Sequence, residues 1–399
     1  MLSARTLTTV SELGQVREEW DRLVRAARRP SPFLLHGWLE AWCRHFAADG
    51  LLRIHLVERA DGRLLGALPL VVTRTRGLRV AQFVGGGQSA LADLLLAPDA
   101  PAEAAGELVR LAHRSGHDYA DLFGVAGESN LSRVTGALDL KLVERVEAPV
   151  LDLSAGFDAV YREKTSSKRR NLHKRRVRQL SELGRVEFRL ARTSDELAAA
   201  LEDAFVLHRL RWSGRPDGSG FGTDAGMRFH REAVQALAPL DVPRIVTLTV
   251  DDRPIAFHYF FAFCGGMYVH RLAFDPAFGR YSPGAVTTLE TIRMAAGEGL
   301  ERVEYLGGDE RYKVEFADRL DPLYQALGMA PTAAGRVSVG GRLAIIAARR
   351  RLKRSKRLRA LYFEGLAPAR RAWSLAASRE SRSSAPASLE RNSDSPSRQ

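Results

Sequence analysis

The stretch Arg244-Ile245-Val246-Thr247-Leu248-Thr249-Val250-Asp251-Asp252-Arg253-Pro254-Ile255-Ala256-Phe257 is two strand-like runs on either side of an Asp pair. β-Branched residues fill the first run, and the two aspartates between the runs are a hairpin signal. Roughly 190 residues earlier the same plan occurs as Arg53-Ile54-His55-Leu56-Val57-Glu58-Arg59-Ala60-Asp61-Gly62-Arg63-Leu64-Leu65-Gly66-Ala67, with Asp61-Gly62 at the turn. Each hairpin follows two segments of helical pattern. These are Ser11–Ala27 and Pro32–Phe46 in the first half, and Ser194–Trp212 and Asp224–Ala238 in the second.

Downstream of the second hairpin the pattern predicts a strand over Met267–Phe274, a helix over Pro283–Glu298, a strand over Arg302–Leu306 and a helix over Asp309–Ala317. The first half gives a weaker version of the same series. A strand over Val80–Val84 leads into the turn Gly85-Gly86-Gly87, then Ala92–Leu96, a helix over Ala102–Ser115 and a strand over Tyr119–Phe123. This is mixed α/β (α+β) order, and duplication is its economical explanation.

The chain has 399 residues, 45% hydrophobic and 27% charged, enough to bury a sizeable core and to form two or three domains. No apolar run approaches the roughly 20 residues of a membrane span, and Met1–Val10 lacks the apolar centre of a secretory signal, so a cytoplasmic location is expected. Cys43 and Cys264 stand far apart, which argues against a disulfide framework and a structural zinc site; both are expected as buried thiols. No metal is expected. The formal charge of +13 is concentrated in two segments, Arg162–Arg178 with nine Lys/Arg and one Glu, and Arg342–Arg371 with eleven Lys/Arg and one Glu. Their net charges, +8 and +10, exceed the total by 5, so the remainder is mildly acidic. Anionic partners are therefore met by local patches, and DNA is not expected.

Gly307-Gly308-Asp309-Glu310-Arg311-Tyr312-Lys313 follows the short strand Arg302–Leu306. Open α/β sheets bind ligands at such carboxyl edges. A helix starting near Asp309 puts Asp309, Tyr312 and Lys313 at i, i+3 and i+4 on one face, while Gly307 and Gly308 open the sheet edge. Asp309 suits a general base, Tyr312 a proton donor, and Lys313 a binder of phosphate or oxyanion. His258 and His270 lie on strands near the same edge. His258 is a further candidate base, set against the common role of a lone histidine in an apolar strand, which is core packing. Arg211, at the end of Ser194–Trp212, suits an acceptor carboxylate or phosphate, or simply complements the helix terminus.

Several segments together resemble the GNAT acyltransferases, in particular the CelD-like acetyltransferases associated with polysaccharide biosynthesis, whose tandem architecture relates them to the FemABX transferases. They are the helix from Pro32-Phe33 through Trp38 to Trp42, the strand Gly66-Ala67-Leu68-Pro69-Leu70, Lys168-Arg169-Arg170-Asn171-Leu172, Asp275-Pro276 through Ser282-Pro283-Gly284, and Gly308–Lys313. The first half departs where Gly85–Gly87 is followed by Ser89-Ala90-Leu91 before Asp93. The resemblance implies two tandem GNAT-like domains with mixed central sheets flanked by helices, at 1–155 and 156–335. A basic helical tail at 336–376 and a disordered terminus at 377–399 follow.

The resemblance further implies acyl transfer from acetyl-CoA or another acyl-CoA to an amine or hydroxyl of a sugar, polysaccharide or cell-envelope precursor. The donor's pyrophosphate would meet the helix start at Ser282, Pro283, Gly284 and Ala285 with Arg280 adding charge. Backbone N–H groups near Ala273 and Phe274 would polarise the thioester carbonyl, and Gly307, Gly308 and Arg211 would border the acceptor. Two rivals remain at this level. One is a FemABX-like ligase that uses aminoacyl-tRNA, held on the basic segments; the other is a non-catalytic envelope-assembly factor on the anionic inner face of the membrane, held by its basic tail.

Overall fold

The computed structural model describes residues 2–47, 51–213, 220–307 and 311–354. Its strands are β1 (Leu2–Leu7), β2 (Leu51–Arg59), β3 (Leu64–Thr75), β4 (Leu78–Phe83), β5 (Leu95–Leu96), β6 (Tyr119–Ala126), β7 (Leu140–Asp152), β8 (Val186–Ala191), β9 (Pro243–Val250), β10 (Arg253–Phe263), β11 (Gly266–Phe274), β12 (Arg302–Glu304) and β13 (Arg319–Gly328). Both hairpins form as the sequence predicts. At the second, Val250 pairs with Arg253, and Asp251 and Asp252 take φ of +45° and +65°. These are the left-handed turn values that Asp tolerates better than most side chains.

The strands join into one mixed sheet in the order β1-β2-β3-β4-β6-β13-β7-β12-β11-β10-β9-β8, with β5 paired to β3. The centre is interleaved. Strand β13, from the second half, pairs antiparallel with both β6 and β7, and β7, from the first half, pairs antiparallel with β12. The boundary at 155/156 therefore separates two sequence repeats that contribute to a single sheet. Residues 1–339 form one compact unit; the second unit begins at Gly340, and its described residues, 340–354, are helical. The remainder of the expected tail, 355–399, lies outside the described residues.

Helices join the halves as well. In the helix His36–Phe46, an added Cβ on Gly37 would stand 2.9 Å from the Cβ of Ala236 in the helix Asp224–Leu237, so only glycine permits this approach. Trp38, fully buried, packs edge-on against Phe229 at 4.7 Å and Phe261 at 5.3 Å between ring centroids. Ion pairs bind the loop before it to the sheet centre, Arg29 reaching Glu304 and Asp321 at 3.2 Å each. Among the described residues no helix is long and apolar enough to cross a membrane.

Local departures from the sequence reading have identifiable causes. Ser11–Ala27 is two helices, Val10–Gly14 and Arg17–Ala26. Pro32–Phe46 opens with the 3-10 turn Pro32–Leu34, and the helix proper starts at His36, whose N–H donates to the buried Asp21 carboxylate at 2.7 Å. Of Ala92–Leu96 only Leu95–Leu96 is a strand, because Asp93 turns inward to accept backbone N–H groups. Cys43 is buried, its thiol pushed up to about 12 by desolvation, but Cys264 is exposed in the turn after β10.

Candidate active site

Strands β11 and β12 run parallel and pair only at Gly266–Arg302, Met267–Val303 and Tyr268–Glu304. Beyond that point β11 continues to Phe274, while β12 stops at Glu304 and the chain turns away through Leu306. The two strands splay and leave a gap. Leu306 makes the turn at φ +60°, a strained value for a branched side chain. Gly307, expected to open the edge, does not carry the left-handed turn.

Two cavities meet at this gap. One, of about 260 Å³, lies against the helix Pro283–Gly297, with Leu272, Phe274, Thr288, Ile292 and Phe316 as its apolar walls and Arg169 and His173 at one side. The other, of about 540 Å³, takes walls from both halves: Gly87–Ala90, Phe123 and Gly124 from the first, and His208, Trp212, Arg271, Lys313 and Gln325 from the second. Leu272 and Tyr305 line both cavities. The two cavities therefore adjoin at these side chains, beside the splayed strands.

The residues expected at the helix start are present, with altered roles. Pro283 is the first helical residue, and Ser282 takes a left-handed conformation (φ 54°, ψ 51°) without a side-chain cap. That terminus keeps its dipole and lacks the side-chain acceptor that the helices at Ser167, Ser194 and Asp224 receive. A Cβ on Gly284 would lie 3.1 Å from Cδ1 of Phe274, so this glycine leaves room for the Phe274 ring, and it also lines the smaller cavity. Ala285 lines the smaller cavity, and Ala273 is buried in β11. Arg280 is engaged with Tyr281, its guanidinium over that ring at 4.6 Å and bonded to its hydroxyl.

On the other side, Gly307 and Lys313 line the larger cavity. Lys313 is buried, and its Nζ donates to the Gly307 carbonyl at 3.4 Å. Gly308, Asp309 and Glu310 lie outside the described residues. Tyr312 lies in the helix Arg311–Phe316, its side chain also outside the description. Arg211 stands over Phe274 at 4.9 Å and is not among the residues lining the larger cavity; its neighbour Trp212 is. His258 is corrected. It lines neither cavity, both ring nitrogens are buried without a hydrogen-bond partner, and desolvation, with Lys313 nearby, pushes its pKa down to about 3. A neutral imidazole walled off from both cavities is core packing.

Some contributors were missed. Tyr305 sits where the cavities meet, and it was read only as the end of a strand. Arg169 and His173 belong to the basic run, whose charge density was visible although its neighbour was not. Gln88 to Ala90 fall in the segment where the first half departs from its repeat.

Residues 167–314 match the family model described as acetyltransferase (GNAT) domain. Among solved structures, FemX is similar in fold, at 10% identity and a TM-score of 0.53, over 81% of this chain and 96% of that one. So is the C-terminal domain (DUF2156) of a protein named as a lysylphosphatidylglycerol synthetase from Agrobacterium fabrum, at 12% identity and a TM-score of 0.50, over 82% and 95%. No curated protein matches the sequence. Residues 167–314 thus match a GNAT acetyltransferase domain, and the fold of the chain is like that of FemX.

Proposed function

We propose that the protein transfers an acetyl or related acyl group from acyl-CoA to an amine or hydroxyl, on a sugar, polysaccharide or cell-envelope precursor, as in the CelD-like branch. The observation that carries this reading is the meeting of two cavities at Leu272 and Tyr305. The smaller one has the apolar walls that suit a pantetheine arm, and it abuts a helix start whose dipole favours an anion. The larger one, more polar than the smaller and built by both halves, suits the acceptor.

In this reading the acyl carbonyl sits in the gap. Beyond Tyr268 the edge of β11 has no pairing with β12, and backbone N–H groups near Ala273 and Phe274 are the candidates to polarise the carbonyl. The acceptor's lone pair forms the new bond to the carbonyl carbon, the carbon–sulfur bond then breaks, and the thiolate takes a proton. Asp309 is the candidate to receive the acceptor's proton, Tyr312 to return one to sulfur, and Lys313 to hold negative charge on the acceptor side. Gly307 lines the acceptor cavity, and Gly308 is a candidate to border the acceptor.

A second reading, transfer from aminoacyl-tRNA, is favoured by the basic run Arg162–Arg178, whose Arg169 borders the donor side, and by the likeness to FemX. Purified protein assayed with acetyl-CoA, longer acyl-CoAs and charged tRNA separates the two. Acyl-CoA should raise the melting temperature and be consumed. If no CoA species does either and charged tRNA does, with affinity falling steeply in salt, the acyl-CoA reading fails.

A further inference from the structure

The lining of the larger cavity reverses the usual order of polarity, in which apolar side chains are buried and polar ones face water. Among the described residues, Gln88, His270, Lys313 and Gln325 line it from buried positions, beside apolar neighbours. Its exposed side chains are all apolar: Phe123, Val146 and Trp212, at 56%, 47% and 40% exposure. Phe123 stands on β6 and Val146 on β7, on either side of β13, and Trp212 ends the helix Ser194–Trp212. Isolated apolar side chains on a surface need no explanation, but three around one opening mark a binding surface.

The depth asks for a different kind of contact. His270 Nε2 and Gln325 Oε1 are buried there without a hydrogen-bond partner. The amide nitrogen of Gln325 donates to the Asp121 carboxylate, which leaves the carbonyl oxygen as the end that needs a donor. An acceptor left unmet in a buried place is costly, and a hydroxyl or amine N–H on a ligand would meet it. Lys313 adds a positive charge, and among the described residues no carboxylate lines the cavity.

We propose that the acceptor is an amphiphile, with its amine- or hydroxyl-bearing head in the cavity and a hydrocarbon chain lying on Phe123, Val146 and Trp212. The proposal rests on reading the larger cavity as the acceptor site, and it narrows the class of acceptor to one carried on an apolar chain. A free sugar would satisfy the depth and leave the apolar mouth in water. A protein docked on the mouth alone would leave Gln325 Oε1 unmet. Trp212 suits the boundary between the two, since an indole presents an apolar body and one N–H donor.

Calorimetric titration of the full chain with methyl, hexyl and octyl glucosaminides, and with methyl, hexyl and octyl phosphates, each below its micellar concentration, tests this. A methylene withdrawn from water is worth up to about fourfold in affinity, so in at least one series the octyl compound should bind about tenfold or more tightly than the methyl one. The double variant Phe123→Ser, Trp212→Ser alters exposed positions and should fold, which its melting curve checks. It is expected to cut the octyl-to-methyl ratio below about threefold. His270→Phe, by contrast, should weaken every member of the series that binds and leave the ratio as it is. The proposal is overturned if chain length changes affinity in neither series or if the double variant keeps the parent's ratio. It is also overturned if those two substitutions dissociate an oligomer in light scattering, because the mouth is then a contact between copies. Acetyl transfer from acetyl-CoA to methyl and octyl glucosaminides with equal kcat/KM sinks the amphiphile and spares the acyl-CoA reading. A chain-length ratio that the double variant abolishes, without transfer from any acyl-CoA, does the reverse.

Discussion

The first and second halves each contain a parallel strand pair that splays, and the two gaps end differently. In the second half β11 and β12 part after three residue pairs and leave the space where two cavities meet. In the first half β4 and β6 pair at Val80–Tyr119 and Ala81–Ala120 and then part as well. Here the chain itself enters. Ala92 N–H donates to the Gly124 carbonyl at 3.1 Å, and Asp93 turns in to accept N–H groups from Leu94, Asn130 and Leu131 at 2.8–2.9 Å. Between Leu91–Asp93, β6 and the Arg29 loop only about 10 Å³ remains, scarcely one water, while Gly87–Ala90 ahead of it walls the larger cavity. The same strand–helix–strand unit is a site or a plug according to which segment follows its first strand.

Filling the open gap should break the comparison most strongly. Leu272→Trp, at the junction of both cavities, is expected to lower kcat/KM about 100-fold or more, since displacing the reacting groups by an ångström costs that much. Steady-state kinetics with acetyl-CoA measure it, and near-normal turnover would show that the gap is not the route. Opening the plugged gap acts on stability instead. Gly124 has φ +79°, and a Cβ there would stand 2.7 Å from the Ala90 carbonyl oxygen. Gly124→Ala should cost about 1–3 kcal/mol in urea unfolding.

The plug also titrates. Burial lifts the Asp93 pKa from 3.8 to about 6 against three backbone donors that lower it. The folded state therefore holds this proton more tightly than the unfolded chain does. Its contribution is complete below about pH 4 and is lost as pH rises through about 6, a change on the order of 2–3 kcal/mol. Asp93→Asn should lack that change, so the stability difference between parent and variant moves with pH in that window and is flat above it. His258→Phe is expected to do least, with turnover within about twofold and stability within about 1 kcal/mol, because the native ring makes no hydrogen bond to lose.

Local elements were legible because local chemistry specifies them. Asp251-Asp252 announced the turn, and Pro283 marked the helix start to the residue. The interleaving of β6, β13, β7 and β12 was not legible, since alternation records which face a side chain presents and not which strand lies beside it. At the site, the cleft was found from Gly307 to Lys313 and from the helix at Pro283. Two contacts were not legible: the Phe274 ring that Gly284 makes room for, and the packing that walls His258 off from both cavities. Both depend on contacts across the sheet, which leave no trace in spacing.

The insertion of β13 between β6 and β7 has a consequence for how the chain is made. Strands β6 and β7 emerge early from the ribosome, yet the strand that separates them ends at Gly328. Until then the first half carries three unsatisfied strand edges, one on β6 and both on β7, open to pairing with each other or with a neighbouring chain. Synthesis must therefore pass most of the protein's length before its first half can close. A refolding experiment should find β6 protected from hydrogen exchange only in the same slow step that protects β13.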